Sequence, residues 1–266
     1  MPELPEVETI VNQLSAEINH KTILNIENLD HKVVDKKTST IKNIKITNIH
    51  RRAKYIIITL NNSQYIVIHL RLTGHFHYFK NKDKFTNEKF CVAKIYLNDH
   101  SLLTFNSIRR FERFDILNQS ELNKLTAPLG PEPLDKSFTV DKFQQLFQKS
   151  PSANIKTKLM DQNVIAGIGN IYAQEALYYA GISPQKKIQD IPSEKLTQLY
   201  HELQRILLQA IKHKGTSVDD YEHLKGEGNF QNHLAVYQKS SCPQKHSIKK
   251  ITIGGRGTSY CPVCQK

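Results

Sequence analysis

Two residues at the start of the chain could together perform chemistry at a sugar carbon. Once the initiator methionine is removed, which a small second residue generally permits, Pro2 presents a secondary amine. Such an amine can attack a sugar C1′ and form a cationic iminium, which withdraws electrons for elimination at the neighbouring carbon. The adjacent Glu3 could exchange protons with the ring oxygen or a leaving base. Alternatively, Glu3 and Glu6 are first-turn acids that favour a helix dipole.

A second group of chemically useful residues lies in the last 25 residues of the chain. This stretch holds Cys242, Cys261 and Cys264, three of the four cysteines, and the last two form a Cys-x-x-Cys knuckle. In an intracellular chain, sparse cysteines clustered in this way favour a metal site over a disulfide framework.

Positive charge is spread over the whole chain. Lysine and arginine number 37 against 25 acidic residues, a net charge of +12 that divides equally on either side of Pro131. We expect this distribution if two domains face one polyanion, and a generally basic protein is the alternative. No apolar run approaches the roughly 18 residues of a membrane span, and the acidic start is not a secretory signal. A cytoplasmic protein without a membrane partner is therefore expected.

The elements that must position these residues differ between the two parts of the chain. Apolar residues at helical spacing predict a helix over 5–20, and short β-branched runs from about 21 to 117 predict an antiparallel sandwich or barrel. Three prolines and one glycine in LTAPLGPEPLDKS (125–137) indicate a linker. Helical periodicity then continues from 139 to about 214, and a β-hairpin is expected around GGRG near the C-terminus.

Four motifs carry a resemblance to a known family. MPELPEVE, GPEPL (130–134), LMDQNVIAGIGNIYAQEAL (159–177) and GRGTSYCPVC (255–264) follow one another along the chain. With them, the chain resembles the bacterial formamidopyrimidine-DNA glycosylases, which excise oxidised purines such as 8-oxoguanine and then cut the strand. The resemblance runs from Pro2 to Cys264, and Leu4 favours this branch over the endonuclease VIII branch.

This resemblance implies an α+β fold in three parts. An N-terminal β-sandwich with a helix is expected at 1–131, a helix–two-turn–helix domain at 132–234 and a β-hairpin zinc finger at 235–266. It also implies a monomeric, bifunctional glycosylase and abasic-site lyase acting on duplex DNA, in which the base leaves the stack before Pro2 reaches C1′. A lyase with weak base excision and a lesion-binding protein that no longer cuts are the alternatives. The second of these would be expected to lack Pro2 or Glu3.

Matching positions imply further site residues. Lys54 and Arg256 would contact phosphates at the lesion and assist elimination, and Lys156 and Asn170 would contact phosphate near the start of a helix. From the residues alone, Lys54 is an ordinary strand-end lysine, and Gly167–Asn170 could be a helix–helix turn. Leu72, Arg109 and Phe111 map onto the set that fills and wedges the base stack, with Leu72 where the family usually has Met. Without the resemblance, Phe111 would be a core aromatic.

The resemblance also implies one structural zinc, but the ligand pattern differs from the usual one. The first Cys-x-x-Cys of the finger is absent, and Cys242-Pro-Gln-Lys-His246 takes its place. Because zinc accepts imidazole as readily as thiolate, Cys242, His246, Cys261 and Cys264 form the expected set. A degenerate finger without metal is the alternative.

Other departures concern the preferred lesion. Phe90 stands near an expected DNA-contacting His, Ser107 replaces an Asp, Glu112 replaces a Gly, and Ser152 lies near a usual Lys. Glu112 is expected to put a negative charge beside the wedge, and the missing contacts should lower the affinity for DNA or its salt slope. A lesion-capping loop is expected around Gly215–Tyr221.

Overall fold

The computed structural model describes residues 1–86, 88–217, 224 and 226–266, so part of the predicted Gly215–Tyr221 loop lies outside the described residues. The chain divides into two compact units. The first unit comprises residues 1–128 and 214–228, and the second comprises 129–213 and 229–266. The three-part division at 131/132 and 234/235 stays a prediction.

The first unit begins with helix α1 (Leu4–Ile18), which confirms the helix predicted at 5–20. A reciprocal pair of side-chain to backbone hydrogen bonds between Glu3 and Glu6 forms a capping box that starts the helix. Residues at 3- and 4-residue spacings, such as Val7 and Leu14, are completely buried, so one face of α1 packs into the core of this unit.

Eight antiparallel strands follow and build the expected sandwich. They are β1 (Thr22–Asn28), β2 (Ile44–Arg52), β3 (Tyr55–Leu60), β4 (Gln64–His69), β5 (His75–Phe79), β6 (Cys91–Leu97), β7 (Leu102–Asn106) and β8 (Arg113–Asn118), in the order β5-β7-β6-β1-β2-β3-β4-β8. β1 and β2 pair through Thr22–Lys45 and Ile23–Ile44, so the sheet has two four-stranded halves. Phe105 of one half lies 5.8 Å from Phe114 of the other, between ring centroids, and both halves contribute to one core.

Strands β5 and β8 were not predicted from the sequence. Both lie at an edge of the sheet, where each has one strand neighbour. Three histidine or tyrosine side chains interrupt the apolar pattern of β5, and charged Arg113 and Asp115 alternate with buried residues in β8. Helix α2 (Gln119–Thr126) follows β8.

The second unit is helical and ends in a hairpin. It contains α3 (Val140–Gln148), α4 (Ile155–Met160), α5 (Asn170–Tyr179), α6 (Ser193–Lys212), β9 (Lys249–Ile253) and β10 (Arg256–Tyr260). Its core includes Phe138, Phe143 and Tyr200, and the Tyr200 hydroxyl donates to the Phe138 carbonyl at 2.6 Å. The α+β fold and the hairpin at GGRG are thus as expected. Within the described ranges, no helix combines the length and the apolar character that crossing a bilayer requires.

Candidate nucleic-acid interface and metal centre

The N-terminal candidate catalytic residues are held by a second carboxylate. Glu3 is 3% exposed, and its backbone N–H donates to Glu6 Oε2 at 2.9 Å. The other oxygen, Glu6 Oε1, accepts the N–H of Thr216 at 2.8 Å and its hydroxyl at 3.1 Å. A Cβ at Gly215 would lie 2.7 Å from that oxygen, so only glycine leaves room for the bond. Glu6 therefore joins the backbone beside Pro2 to the start of the expected lesion-capping loop.

Lys54 lies in the tight turn between β2 and β3, beside a neutral histidine. The turn is anchored to α1 because Arg51 binds Glu8 at 2.6 Å and the Ala53 carbonyl at 3.0 Å. Burial, together with the positive charges of Arg71 and Lys54, lowers the pKa of His69 to about 3. Its ring is therefore neutral at pH 7. Because Nδ1 accepts the N–H of Arg71 at 3.0 Å, Nε2 carries the proton and is a neutral donor near Lys54.

The three predicted wedge residues lie on two loops of the first unit. Phe111 is 65% exposed and Leu72 is 39% exposed, and this exposure contradicts a core role for Phe111. Arg109 is also exposed, and its backbone N–H donates to Thr73 Oγ1 at 3.1 Å, so the two loops are bonded to each other. Glu112, in contrast, is buried, and its carboxylate faces inward.

In the second unit, Lys156 and Asn170 come together, but not as two exposed phosphate contacts. Lys156 is 0% exposed, and its ammonium donates to Asn170 Oδ1 at 2.7 Å. The amide group of Asn170 then donates to the Gly257 carbonyl at 3.0 Å, next to Arg256. A cavity of about 310 Å³ adjoins this pair, and its lining includes Asn170, Gly257 and Lys250. The buried ammonium thus fixes which way the Asn170 amide points.

Two neighbouring side chains of α5 tie the hairpin and the segment before it to this helix. Gln174 donates to the Gly257 carbonyl at 3.3 Å and accepts the N–H of Ser259 at 2.6 Å. The carboxylate of Glu175 accepts three consecutive backbone N–H groups, those of residues 235, 236 and 237, at 2.6, 3.0 and 2.8 Å. Burial raises the pKa of Glu175, although these three donors act in the opposite direction. Both side chains therefore shape the surface beside Asn170.

The exposed Arg256 begins β10, directly after a two-residue turn. Gly254 and Gly255 have φ angles of +55° and +71°, as a type I′ hairpin turn requires. A Cβ at Gly254 would lie 2.6 Å from Thr157 Cγ2, so the turn approaches α4 closely. Hairpin and helix together set the position of Arg256.

The four predicted metal ligands converge at the base of this hairpin. The ligand atoms of Cys242, His246, Cys261 and Cys264 all lie within 4.8 Å of one another. His246 Nδ1 lies 3.6 Å from Cys242 Sγ and 3.4 Å from Cys264 Sγ, and those two sulfurs are 3.9 Å apart. All three cysteines are free thiols. The cluster is therefore a candidate metal-binding site of three sulfurs and one nitrogen.

These features together are typical of a nucleic-acid-binding protein. They comprise exposed apolar and arginine side chains on adjoining loops, an amide side chain at the start of a helix, and a hairpin that carries a cluster of metal ligands. Comparisons with known proteins define the family. A protein-family model described as "Formamidopyrimidine-DNA glycosylase N-terminal domain" matches residues 1–114. A second family model, "Formamidopyrimidine-DNA glycosylase H2TH domain", matches residues 129–222. The formamidopyrimidine-DNA glycosylase of Shouchella clausii is 35% identical over 277 residues, covering 100% of this chain and 99% of the relative.

Solved structures agree with these matches. A Lactococcus lactis FPG mutant in complex with Fapy-dG-containing DNA has a TM-score of 0.92 at 31% identity, with 100% of both chains covered. MutM in complex with DNA containing carbocyclic 8-oxo-G has a TM-score of 0.91 at 31% identity, also with 100% of both covered. The chain belongs to the formamidopyrimidine-DNA glycosylase family. This is a family of DNA glycosylases with abasic-site lyase activity.

Sequence reasoning missed four polar residues that organise these sites. They are Glu6, His69, Gln174 and Glu175. The sequence did not indicate that Glu6 joins the Glu3 backbone to Thr216. Glu175 and Gln174 are adjacent polar residues in a helix whose other residues after Asn170 are apolar or aromatic, and that interruption is the signal that could have identified them.

Proposed function

We propose that this chain excises oxidised purines from duplex DNA through a covalent intermediate on Pro2 and then cuts the strand by β- and δ-elimination. The observation that carries the proposal is the N-terminal Pro2–Glu3 pair, whose backbone the buried Glu6 carboxylate holds. The substrate class follows from the similar structures, whose names describe DNA with Fapy-dG or 8-oxo-G. Relatives from bacteria support a cytoplasmic location, and the monomeric state remains a prediction.

In the proposed reaction, the nitrogen of Pro2 forms a bond to C1′ while the bond between C1′ and the base breaks. The base leaves with the electron pair of that bond and takes up a proton. Ring opening then converts the adduct into an iminium, whose positive charge acidifies the proton on C2′. Loss of that proton expels the 3′ phosphate, and a second elimination expels the 5′ phosphate. Glu3 moves protons in these steps, because it is the carboxyl group next to the amine.

Both units contribute groups that bind phosphate. In the first unit, we assign phosphate binding to Lys54, with the neutral Nε2–H of His69 as a second donor. In the second unit, Asn170 and Arg256 are the contacts, and Lys156 acts on phosphate indirectly by orienting Asn170. Leu72, Arg109 and Phe111 fill the space that the extruded nucleotide leaves, because apolar wedges and an arginine replace its stacking and pairing.

We assign the Cys242, His246, Cys261 and Cys264 site to one structural zinc ion. A tetrahedral ion with Zn–S bonds of about 2.3 Å and a Zn–N bond of about 2.0–2.1 Å separates two sulfurs by about 3.8 Å and a sulfur from a nitrogen by about 3.5 Å. The distances of 3.9, 3.6 and 3.4 Å in this cluster fit those values. When bound, the ion crosslinks the two ends of the hairpin segment and thereby supports Arg256.

A single-turnover gel assay on three duplexes tests this function. With the Met1-processed protein, duplexes containing 8-oxoguanine or a formamidopyrimidine should lose the base, and these and an abasic duplex should be cut to ends bearing phosphate. A preparation that retains Met1 is the matched control, since its proline nitrogen is an amide and it should be inactive. Cleavage of the abasic duplex alone would support the lyase with weak excision. Binding of all three duplexes without any cleavage would contradict an enzymatic function.

A further inference from the structure

A buried carboxylate joins the two loops that carry the wedge residues. Leu72 and Phe111 are exposed, but the residue after each one turns inward: Thr73 is 1% exposed and Glu112 is 2% exposed. These two inward side chains are bonded to each other. Glu112 Oε1 accepts the Thr73 backbone N–H at 3.1 Å and its hydroxyl at 2.7 Å. The bonds therefore fix the position of Leu72 relative to Phe111.

The same carboxylate orients a second hydroxyl. Ser107 Oγ donates to Glu112 Oε2. A hydroxyl has one proton, so a hydroxyl that donates to a carboxylate must present lone pairs to its other neighbours. Accordingly, Thr73 Oγ1 accepts the backbone N–H of Arg109 at 3.1 Å, and Ser107 Oγ accepts that of Arg110 at 2.9 Å. Glu112 thus holds the backbone of the third wedge residue, Arg109, through the Thr73 hydroxyl, and that of the next residue, Arg110, through the Ser107 hydroxyl.

The neighbouring backbone leaves space for this carboxylate. A Cβ at Gly74 would lie 2.7 Å from Glu112 Cγ and 2.8 Å from the Leu70 carbonyl oxygen. Any larger residue at position 74 would displace the Glu112 side chain or the backbone. Ser107 is itself 1% exposed, so the whole arrangement is closed to solvent. A buried carboxylate with three donors is a satisfied group, and removing it leaves those donors unpaired.

We propose that Glu112 is a positioning residue for base extrusion, which keeps Leu72, Arg109 and Phe111 in the arrangement that fills the stack. The inference rests on the wedge role proposed above. It also joins two departures from the family pattern into one exchange. The sequence resemblance implies Asp at position 107 and Gly at position 112, whereas this chain has the hydroxyl at 107 and the carboxylate at 112. In this chain the carboxylate therefore comes from position 112, five residues after position 107.

The exchange can be tested by reversing it. We compare three variants, Glu112→Gly, Ser107→Asp and the double variant, on a duplex that carries 2-aminopurine opposite the lesion. The fluorescence of 2-aminopurine rises when this base is no longer stacked. Single-turnover excision is measured in parallel. Glu112→Gly should lose the fluorescence rise and slow excision by about tenfold or more, because three buried donors lose their acceptor. Ser107→Asp should also slow excision, because two carboxylates then meet at one place. The double variant should return to within a few-fold of the parent.

Controls separate this inference from its premise. Glu194→Gln, at an exposed position of α6, matches the loss of one negative charge and should behave as the parent. Phe111→Ala should abolish the fluorescence rise, and if it does not, the wedge proposal itself fails. If Phe111→Ala loses the signal while Glu112→Gly keeps both signal and rate, the role of Glu112 is refuted. A double variant no better than Glu112→Gly refutes the exchange.

A folding defect is detected by thermal unfolding of each variant. Should Glu112→Gly fail to fold, Glu112→Gln decides the question. It keeps the size of the side chain but turns an N–H₂ group toward one of the two hydroxyls. It should therefore fold and show a reduced fluorescence rise, and a parent-like signal would contradict the proposal.

Discussion

The histidine of the proposed zinc site offers the sharpest test of the second unit. His246→Ala removes one of four ligands while leaving three sulfurs in place. Structural zinc sites in small fingers bind with about 10–16 kcal/mol in total, so one ligand of four contributes about 2.5–4 kcal/mol, or about 10²–10³-fold in zinc affinity. Because a bound ion would support the hairpin, affinity for DNA should fall as well.

The assay is competition for zinc against a chromophoric chelator, together with titration of an abasic-analogue duplex. His246→Cys is the matched control, since thiolate also binds zinc, and it should retain about one zinc per chain. The first unit should keep its fold in both variants, as judged by far-UV circular dichroism and unfolding. An alanine variant that keeps one zinc per chain with unchanged affinity for DNA would refute the ligand set.

Three further changes probe the remaining assignments. Glu3→Gln should reduce base excision by about 10²–10⁴-fold, the range of general acid–base catalysis, with little change in duplex binding, and excision at the parent rate would redirect attention to Glu6. Lys156→Met should weaken DNA binding but leave the slope of log affinity against log salt concentration unchanged, because Lys156 does not itself contact phosphate in this proposal. A decrease of about one in that slope would show that Lys156 contacts phosphate directly. Gly254→Ala should lower the free energy of unfolding by more than Gly255→Ala. Both glycines have positive φ, which costs about 1–2 kcal/mol for alanine, but only at Gly254 would the new Cβ meet Thr157. Equal losses of unfolding free energy for the two variants, measured by urea denaturation, would contradict the close packing.

Patterns among neighbouring residues predicted the helices, strands and turns that form within short stretches of the chain. The 3- and 4-residue spacing gave α1, the alternation of β-branched runs gave most of the sandwich, and two adjacent glycines marked the turn before Arg256. The ligand cluster was also predictable, since a Cys-x-x-Cys knuckle restricts two ligands and few other residues in that segment can bind zinc.

Contacts between residues far apart in sequence could not be predicted in the same way. The sequence did not indicate that Lys156 is buried and donates to Asn170, whose amide reaches a carbonyl 87 residues away. Glu112 was expected to place a charge beside the wedge, but hydrogen bonds to Thr73, 39 residues earlier, turn it inward. Nothing in the sequence around either residue indicates these partners, because burial of a charge is decided by the donors or acceptors that the fold supplies.

The atom that forms the covalent bond to DNA distinguishes Pro2 from any other nucleophile in the chain. The Met1-processed protein is mixed with an abasic duplex and borohydride, which reduces an iminium to a stable amine, and the digested adduct is mapped by mass spectrometry. We expect the sugar remnant to be attached to the N-terminal peptide at the nitrogen of Pro2, and we expect protein that retains Met1 to form no adduct. An adduct on a lysine, with Lys54 the first to examine, or efficient trapping by the Met1-retaining protein, would contradict it.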